Sequence, residues 1–213
     1  MALWICVVSA CPAFAGGSGP SPDIVISQVY GGGGNSGATL KNDFIELFNR
    51  SSAAVSLAGW SVQYASAAGT TWQVTNLSGT IQPGQYYLVQ EAAGTGGTQN
   101  LPTPDATGTI NMSGTAGKVA LVTSTTALSC GSNCAANTAV RDYVGFGTTA
   151  NNYEGSGPAP APSNTTADLR AGSGCIDTDL NSADFSAGTP NPRNGASTTN
   201  VCASPVDGAC GTD

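Results

Sequence analysis

The sequence predicts an all-β fold, an immunoglobulin-like antiparallel β-sandwich, and three observations support this class. β-branched and aromatic residues cluster in many short runs, several of which alternate apolar with polar side chains. Glycine, proline, asparagine and serine separate these runs, and no stretch shows the periodicity of an amphipathic helix. Only 9% of the residues are charged, and the aromatic runs distinguish the chain from disordered sequences of similar glycine and proline content.

The first two predicted strands show the alternation most clearly. Residues 23–30 are rich in β-branched side chains. In residues 43–49 the alternation places Ile45 and Leu47 on one face, and the two phenylalanines with Glu46 on the other. Further strands are predicted at residues 55–57, 60–65, 72–74, 77–81, 86–90, 107–112, 118–123 and 140–146.

Two segments between the strands have distinctive compositions. Residues 31–37 are almost pure glycine, which predicts a flexible surface loop that could form one rim of a binding face. Residues 155–165 alternate proline with small residues, which predicts an extended, polyproline-like link along the sandwich surface. Trp72 near Tyr64 suggests either an exposed aromatic platform or, as the stronger interpretation, core packing.

The charge balance restricts the classes of function. The 213 residues include six basic and thirteen acidic side chains, a net charge of -7, which disfavours non-specific nucleic-acid binding. The sequence contains no histidine, so Ser-His-Asp triads, Cys-His dyads and histidine-ligated metal sites are excluded within this chain.

The N-terminus of the chain predicts export. Residues 1–15 are apolar and end in Ala-Phe-Ala, which predicts a signal peptide, although no basic residue precedes the apolar stretch. Residues 16–22 would be a spacer, residues 23–202 the β-sandwich, and residues 203–213 the start of a linker or tail. Cleavage before Cys11, leaving a lipid-anchored cysteine, is the alternative. No other segment is long and apolar enough to predict a transmembrane span.

Five cysteines follow the predicted leader, and in an exported protein they predict disulfides. Cys130 and Cys134 flank a short turn and are predicted to pair locally. Cys175 with Cys202 would staple the C-terminal segment, which leaves Cys210 unpaired.

Four motifs in order resemble the lamin-tail domain, in its secreted bacterial form. They lie at residues 24–30, 42–49, 55–60 and 77–89, and the resemblance covers most of residues 23–195. Their characteristic residues are Glu46, Asn49, Gly59, Trp60, Pro83 and Gly84. The resemblance implies an immunoglobulin-like sandwich without catalytic machinery, and bacterial relatives that often sit beside extracellular nucleases or phosphatases.

These motifs also have a physical interpretation. Gly59 permits a sharp turn that would carry Trp60 into the core, and the Pro83-Gly84 pair is typical of a tight turn. Glu46, on an otherwise apolar strand, is predicted to accept hydrogen bonds from Arg50 or a loop backbone. The sequence places no second carboxylate near it for paired-acid catalysis.

One group of oxygen side chains predicts a metal site. Asp177, Asp179, Asn181 and Asp184 are spaced so that a curled loop would direct them at one Ca²⁺ ion, as in the first half of an EF-hand. The glycine and the bidentate glutamate of that loop are missing, so Asx-turns that cap backbone groups are the alternative. No other cofactor is predicted.

The function predicted from these observations is a non-catalytic module, secreted or displayed on a bacterial surface. Its partner would be a protein, a polysaccharide or another surface component. The alternative is an accessory domain of an extracellular nuclease or phosphatase whose catalytic part lies beyond residue 213.

Overall fold

The computed structural model describes residues 19–202, so the predicted signal peptide, Cys11, Cys210 and residues 203–213 lie outside the described part. The described chain forms twelve strands, two short 3-10 turns and one single-turn α-helix, α1 (Asn181–Asp184). The strands are β1 (Ile24–Tyr30), β2 (Asn42–Asn49), β3 (Val55–Ser56), β4 (Ser61–Ser66), β5 (Gln73–Asn76), β6 (Thr80–Ile81), β7 (Tyr86–Ala93), β8 (Ala106–Thr107), β9 (Gly117–Val122), β10 (Val140–Phe146), β11 (Ala167–Arg170) and β12 (Phe185–Gly188).

Two sheets form the sandwich, as the sequence predicted. One has six strands in the order β12-β11-β1-β2-β7-β8, the other has four in the order β10-β9-β4-β5, and β3 pairs with β6. Every pairing is antiparallel except that of β7 with β8. No helix among residues 19–202 is long and apolar enough to cross a membrane.

The predicted alternation of β2 is confirmed. Ile45 and Leu47 are fully buried in the core between the sheets, where they meet Val62 of β4. Phe44 and Phe48 point to the opposite face and belong to separate apolar clusters. Both faces of the six-stranded sheet are therefore covered.

The outer face of the four-stranded sheet is covered as well. Trp72 is only 5% exposed and packs with Tyr143, Leu128 and Cys134 in a cluster outside this sheet. The indole Nε1 of Trp72 donates a hydrogen bond to the carbonyl of Cys130. Trp72 is thus a packing residue and not an exposed platform, as the stronger interpretation had it.

A C-terminal strap, residues 189–202, crosses the outer face of the six-stranded sheet without forming a strand. Side chains bind it instead: Gln28 donates to the Asn191 carbonyl at 2.6 Å and accepts the Asn191 N–H at 3.1 Å. The strap ends at the Cys175–Cys202 disulfide, and Cys130 is bonded to Cys134, so both predicted disulfides are present.

Three segments differ from expectation. In the predicted surface loop at residues 31–37, residues 35–37 are exposed but residues 31–34 are buried. Gly34 packs so closely against Gly94 that an added Cβ would lie 2.1 Å from its nitrogen. Ala159, in the predicted surface link, is 1% exposed and forms a bridge with Phe146. Strands β11 and β12 were not predicted, since four residues leave too little alternation to detect.

Of the predicted strand at residues 107–112, only Thr107 lies in a strand of the structure, at the end of β8. The hydrogen bonds of the following residues explain the difference. The N–H groups of Ile110 and Met112 donate to the carboxylates of Glu91 and Asp43, each at 2.9 Å. Carboxylates thus take positions that carbonyl groups of a neighbouring strand would occupy in a ladder.

The turn residues of the motifs act as expected. Gly59 and Gly84 have φ values of 80° and 70°, in the left-handed region where glycine is favoured. The side chain of Asn49 donates to the carbonyls of Ala53 and Ile81, which fixes the turn after β2. Trp60 packs against the core but stays partly exposed, so it is less buried than predicted.

Candidate functional site

The main concentration of charge is buried between the sheets around Arg170. We call Arg170 with Asp142, Glu154, Asp177 and Asp184 the Arg170 cluster. Arg170 is the last residue of β11, and its guanidinium lies 4.5 Å from the ring of Phe185. The sequence did not indicate this role for Arg170, because its partners Asp142 and Ile26 lie 28 and 144 residues away along the chain.

The side chains of Arg170 and Asp142 form the hydrogen bonds that one residue of β1 lacks within the sheet. The Nη2 atom of Arg170 lies 2.9 Å from both carboxylate oxygens of Asp142. The Nε atom donates to the carbonyl of Ile26, while Asp142 accepts the N–H of the same residue. The two side chains therefore satisfy a backbone that has no strand partner on that side.

The predicted metal residue Asp177 faces four donors. Its Oδ1 accepts from Arg170 at 2.9 Å and from the N–H of Asp179 at 3.5 Å, and its Oδ2 accepts from the Ser21 N–H at 2.6 Å and from Arg50 at 3.3 Å. Arg50 therefore pairs with Asp177 and not with Glu46, which corrects one expectation for Glu46.

Asp184 lies close to Arg170 but binds mainly its own loop. One oxygen lies 3.5 Å from Nη1 of Arg170. The carboxylate also accepts the N–H and the hydroxyl proton of Thr178, at 2.9 and 2.7 Å. These are backbone-capping contacts of the kind that carboxylates make in turns.

The side chain of Asn181 forms hydrogen bonds with the outer edge of β10. Its Oδ1 accepts the N–H of Gly145 at 2.9 Å, and its Nδ2 donates to the carbonyl of Tyr143 at 3.0 Å. Asp179, the fourth predicted ligand, has a φ of 54° and a partly buried carboxylate. No hydrogen bond to that carboxylate is present within residues 19–202.

Carboxylates outnumber cations in the Arg170 cluster, and the pKa values of two of these carboxyl groups are raised. Burial raises the pKa of Asp142 to about 6, against the opposing effect of Arg170. Burial and the nearby Asp142 raise the pKa of Glu154 well above its ordinary value. Oxygen atoms of Asp142, Glu154 and Asp177 lie within 4.8 Å of one another, the kind of donor set that hard cations prefer.

A cleft of about 240 Å³ opens beside the cluster, lined by Arg141, Tyr153, Glu154 and Asp179 among others. It gives solvent access to one side of Glu154. A second groove of about 580 Å³ follows the Cys175–Cys202 disulfide and includes the exposed side chains of Ile176 and Val201.

Glu46 has a structural role, as predicted, but with different donors. Its carboxylate accepts from Arg193, through Nη2 at 2.7 Å and through the backbone N–H at 2.7 Å. Ser27 and Gln28 donate to the same group. The prediction of a loop-backbone donor is therefore confirmed by the N–H of Arg193. The arginine that binds Glu46 is Arg193 of the C-terminal strap and not Arg50.

One further buried acid was missed by sequence analysis. Asp168 of β11 is fully buried, and neither carboxylate oxygen has a hydrogen-bond partner among the described residues. Burial raises its pKa to about 8. The side chain is therefore mostly protonated at neutral pH.

The two packed sheets and the buried ion pairs define an immunoglobulin-like β-sandwich domain. The model of the Lamin Tail Domain family matches residues 18–147, and the chain belongs to this family of non-catalytic immunoglobulin-like domains. A search of curated proteins finds no match to the chain. The folded unit continues past the matched residues, because β11, β12 and the strap complete the six-stranded sheet and its cover.

Proposed function

We propose that this domain is a non-catalytic binding or display module that acts outside the cell. The supporting observation is how the basic side chains are used. All four arginines form ion pairs with carboxylates. Lys118 is buried and donates to three acceptors, the carbonyls of Gly69 and Gly131 and the side chain of Asn151. Five of the six basic side chains, groups that could stabilise a developing anion during catalysis, are thus engaged in holding the fold.

The proposed location rests on the leader-like N-terminus and on the two disulfides. Disulfides persist in oxidising compartments such as the periplasm and the extracellular space. A sandwich held by covalent and ionic links is also suited to presenting loops to a protein or polysaccharide partner.

The test is a direct comparison of binding with turnover. The purified chain is applied to a glycan array and to immobilised peptidoglycan, and is incubated separately with DNA, RNA and a chromogenic phosphate ester. Binding without product formation is the expected result. Hydrolysis of any of these substrates by the purified chain would overturn the proposal.

The alternative proposal is an accessory domain of an extracellular nuclease or phosphatase. It is supported by the resemblance, in which secreted relatives often sit beside such enzymes. An antibody against the domain distinguishes the two proposals in the producing cells and their culture supernatant. A band far larger than the 21.0 kDa of this chain would support the alternative.

A calcium site near Asp177 is a separate proposal. It is supported by the excess of carboxylates over cations in the Arg170 cluster and by the three oxygen donors within 4.8 Å. Of the four ligands predicted from the sequence, only Asp177 belongs to that trio. Asp142 and Glu154 would supply the remaining carboxylates.

A further inference from the structure

The outer edge of β5 is open. This strand, Gln73–Asn76, is the last strand of the four-stranded sheet and pairs only with β4. Within residues 19–202, no backbone hydrogen bond reaches β5 from its other side. Gln73 and Asn76 are exposed.

The register of β4 with β5 shows which groups face outward. Leu77 donates its N–H to the carbonyl of Trp60, directly opposite in the register that pairs Ser61 with Asn76. Hydrogen-bonded and non-hydrogen-bonded pairs alternate in an antiparallel ladder. The N–H and C=O groups of Val74 and Asn76 therefore point away from β4.

The opposite edge of the same sheet is blocked. The side chain of Asn181 occupies the Gly145 N–H and the Tyr143 carbonyl of β10. Ala159 donates its N–H to the carbonyl of Gly145. Polar groups of this chain thus fill the outer edge of β10, whereas β5 has no such cover in the described structure.

Edge strands are commonly protected from association by charged residues or proline. β5 contains neither, and residues 51–90 contain no aspartate, glutamate, lysine or arginine. Two chains that each carry a net charge of -7 could therefore meet at this edge without placing like charges in direct contact.

We propose that β5 pairs with β5 of a second copy of this chain, antiparallel about a two-fold axis at Thr75. This arrangement places Val74 opposite Asn76 of the other copy, and Asn76 opposite its Val74. Both hydrogen-bonded pairs form by the same symmetric exchange, which joins the two four-stranded sheets into one of eight strands. This surface is independent of the proposed partner binding.

The contact is small, so the dimer would be weak and would form at high local concentration, as on a crowded surface. Analytical ultracentrifugation of the full chain from micromolar to millimolar concentration measures it. The weight-average mass should rise from that of one chain toward that of two. A single-chain mass at every concentration would overturn the proposal.

Variants locate the contact. Asn76→Pro removes one outward N–H without touching the pairing with β4, and Asn76→Ser retains the N–H as its matched control. Asn76→Lys tests the same edge by charge, in case the proline variant does not fold. We expect dimerisation to be lost in Asn76→Pro and Asn76→Lys and retained in Asn76→Ser.

The outer edge of β12 also lacks a backbone partner in the described chain, so Ala187→Lys serves as the second control. Dimerisation should survive this change. Loss of dimerisation in Ala187→Lys together with its retention in folded Asn76→Lys would place the contact at β12 and overturn the assignment to β5.

Discussion

The ion pair of Arg170 with Asp142 joins the two sheets through the core, because Arg170 belongs to the six-stranded sheet and Asp142 to the four-stranded sheet. Both side chains are essentially inaccessible to solvent. Three more carboxylates lie around the same guanidinium, so Arg170 is the cation on which this region depends.

Arg170→Leu should therefore destabilise the domain strongly. The substitution leaves buried carboxylates without their cation, and removing one partner of a buried ion pair costs roughly 3–5 kcal/mol. Urea unfolding at pH 7 measures the loss. Arg141→Leu is the matched control, since its pairing with Asp23 is partly exposed and contributes about 0–1 kcal/mol. Equal losses in the two variants would contradict the central role of Arg170.

Because Asp168 is buried, we expect the free energy of unfolding of the domain to fall as the pH rises. Its pKa is raised from 3.8 to about 8 in the folded chain, so the folded state retains a proton that the unfolded state releases. The stabilisation is complete below about pH 4 and is lost as the pH rises through about 8. The amide of Asp168→Asn cannot ionise. The free energy of unfolding of this variant, relative to that of the parent chain, should therefore increase between pH 5 and pH 8.

Denaturant unfolding at several pH values tests this expectation. Burial raises the pKa of Asp43 and of Glu91 to about 7, so these residues contribute a slope of the same sign that remains in Asp168→Asn. Parallel pH profiles for the variant and the parent chain would show that Asp168 does not titrate in this range.

Calcium binding predicts a higher melting temperature in millimolar Ca²⁺ than in chelator, because ligand binding stabilises the native state. The increase should disappear in Glu154→Gln, which replaces one carboxyl group of the proposed trio with an amide. Asp105→Asn, away from that trio, should retain it. An unchanged midpoint in the parent chain would favour the turn-capping interpretation of Asp177 to Asp184.

The two disulfides should contribute unequally. Cys175–Cys202 closes a loop with a sequence separation of 27, whereas Cys130–Cys134 spans only 4. Loop-closure entropy gives about 3–4 kcal/mol for the longer loop and about 2 kcal/mol for the shorter one. Thermal melts of the two Cys→Ser double variants measure the difference, and a larger loss for the 130–134 pair would contradict it.

The boundary of the folded unit is also testable. A chain that ends at residue 147 lacks β11, β12 and Arg193, which binds the buried Glu46. It should show no cooperative unfolding transition, whereas a chain that ends at residue 202 should melt like the full protein. Circular dichroism during heating measures both. Cooperative melting of the shorter chain would show that the strap is dispensable.

Much of the sandwich could be predicted because it depends on local patterns. The alternation in β2 identified which side chains enter the core, and glycine and proline marked the turns at Gly59 and Gly84. Cysteine spacing predicted both disulfides. The order of four motifs indicated the family that the chain belongs to.

The Arg170 cluster could not be predicted because its members are far apart in sequence. Asp142 and Arg170 are 28 residues apart, and Arg170 reaches the backbone of Ile26 across 144 residues. Sequence spacing grouped Asp177 to Asp184 as neighbours. The fold instead directs Asp177 at two arginines and Asn181 at the edge of β10.

The sequence by itself determined most of the longer strands, the turns and much of the composition of the core, because these follow from the periodicity of neighbouring side chains. Tertiary structure decided which polar groups meet. A buried backbone group without a strand partner must still form a hydrogen bond, and here Arg170, Asp142, Asn181 and Gln28 supply it from distant positions. Only the packed sheets bring these side chains within reach.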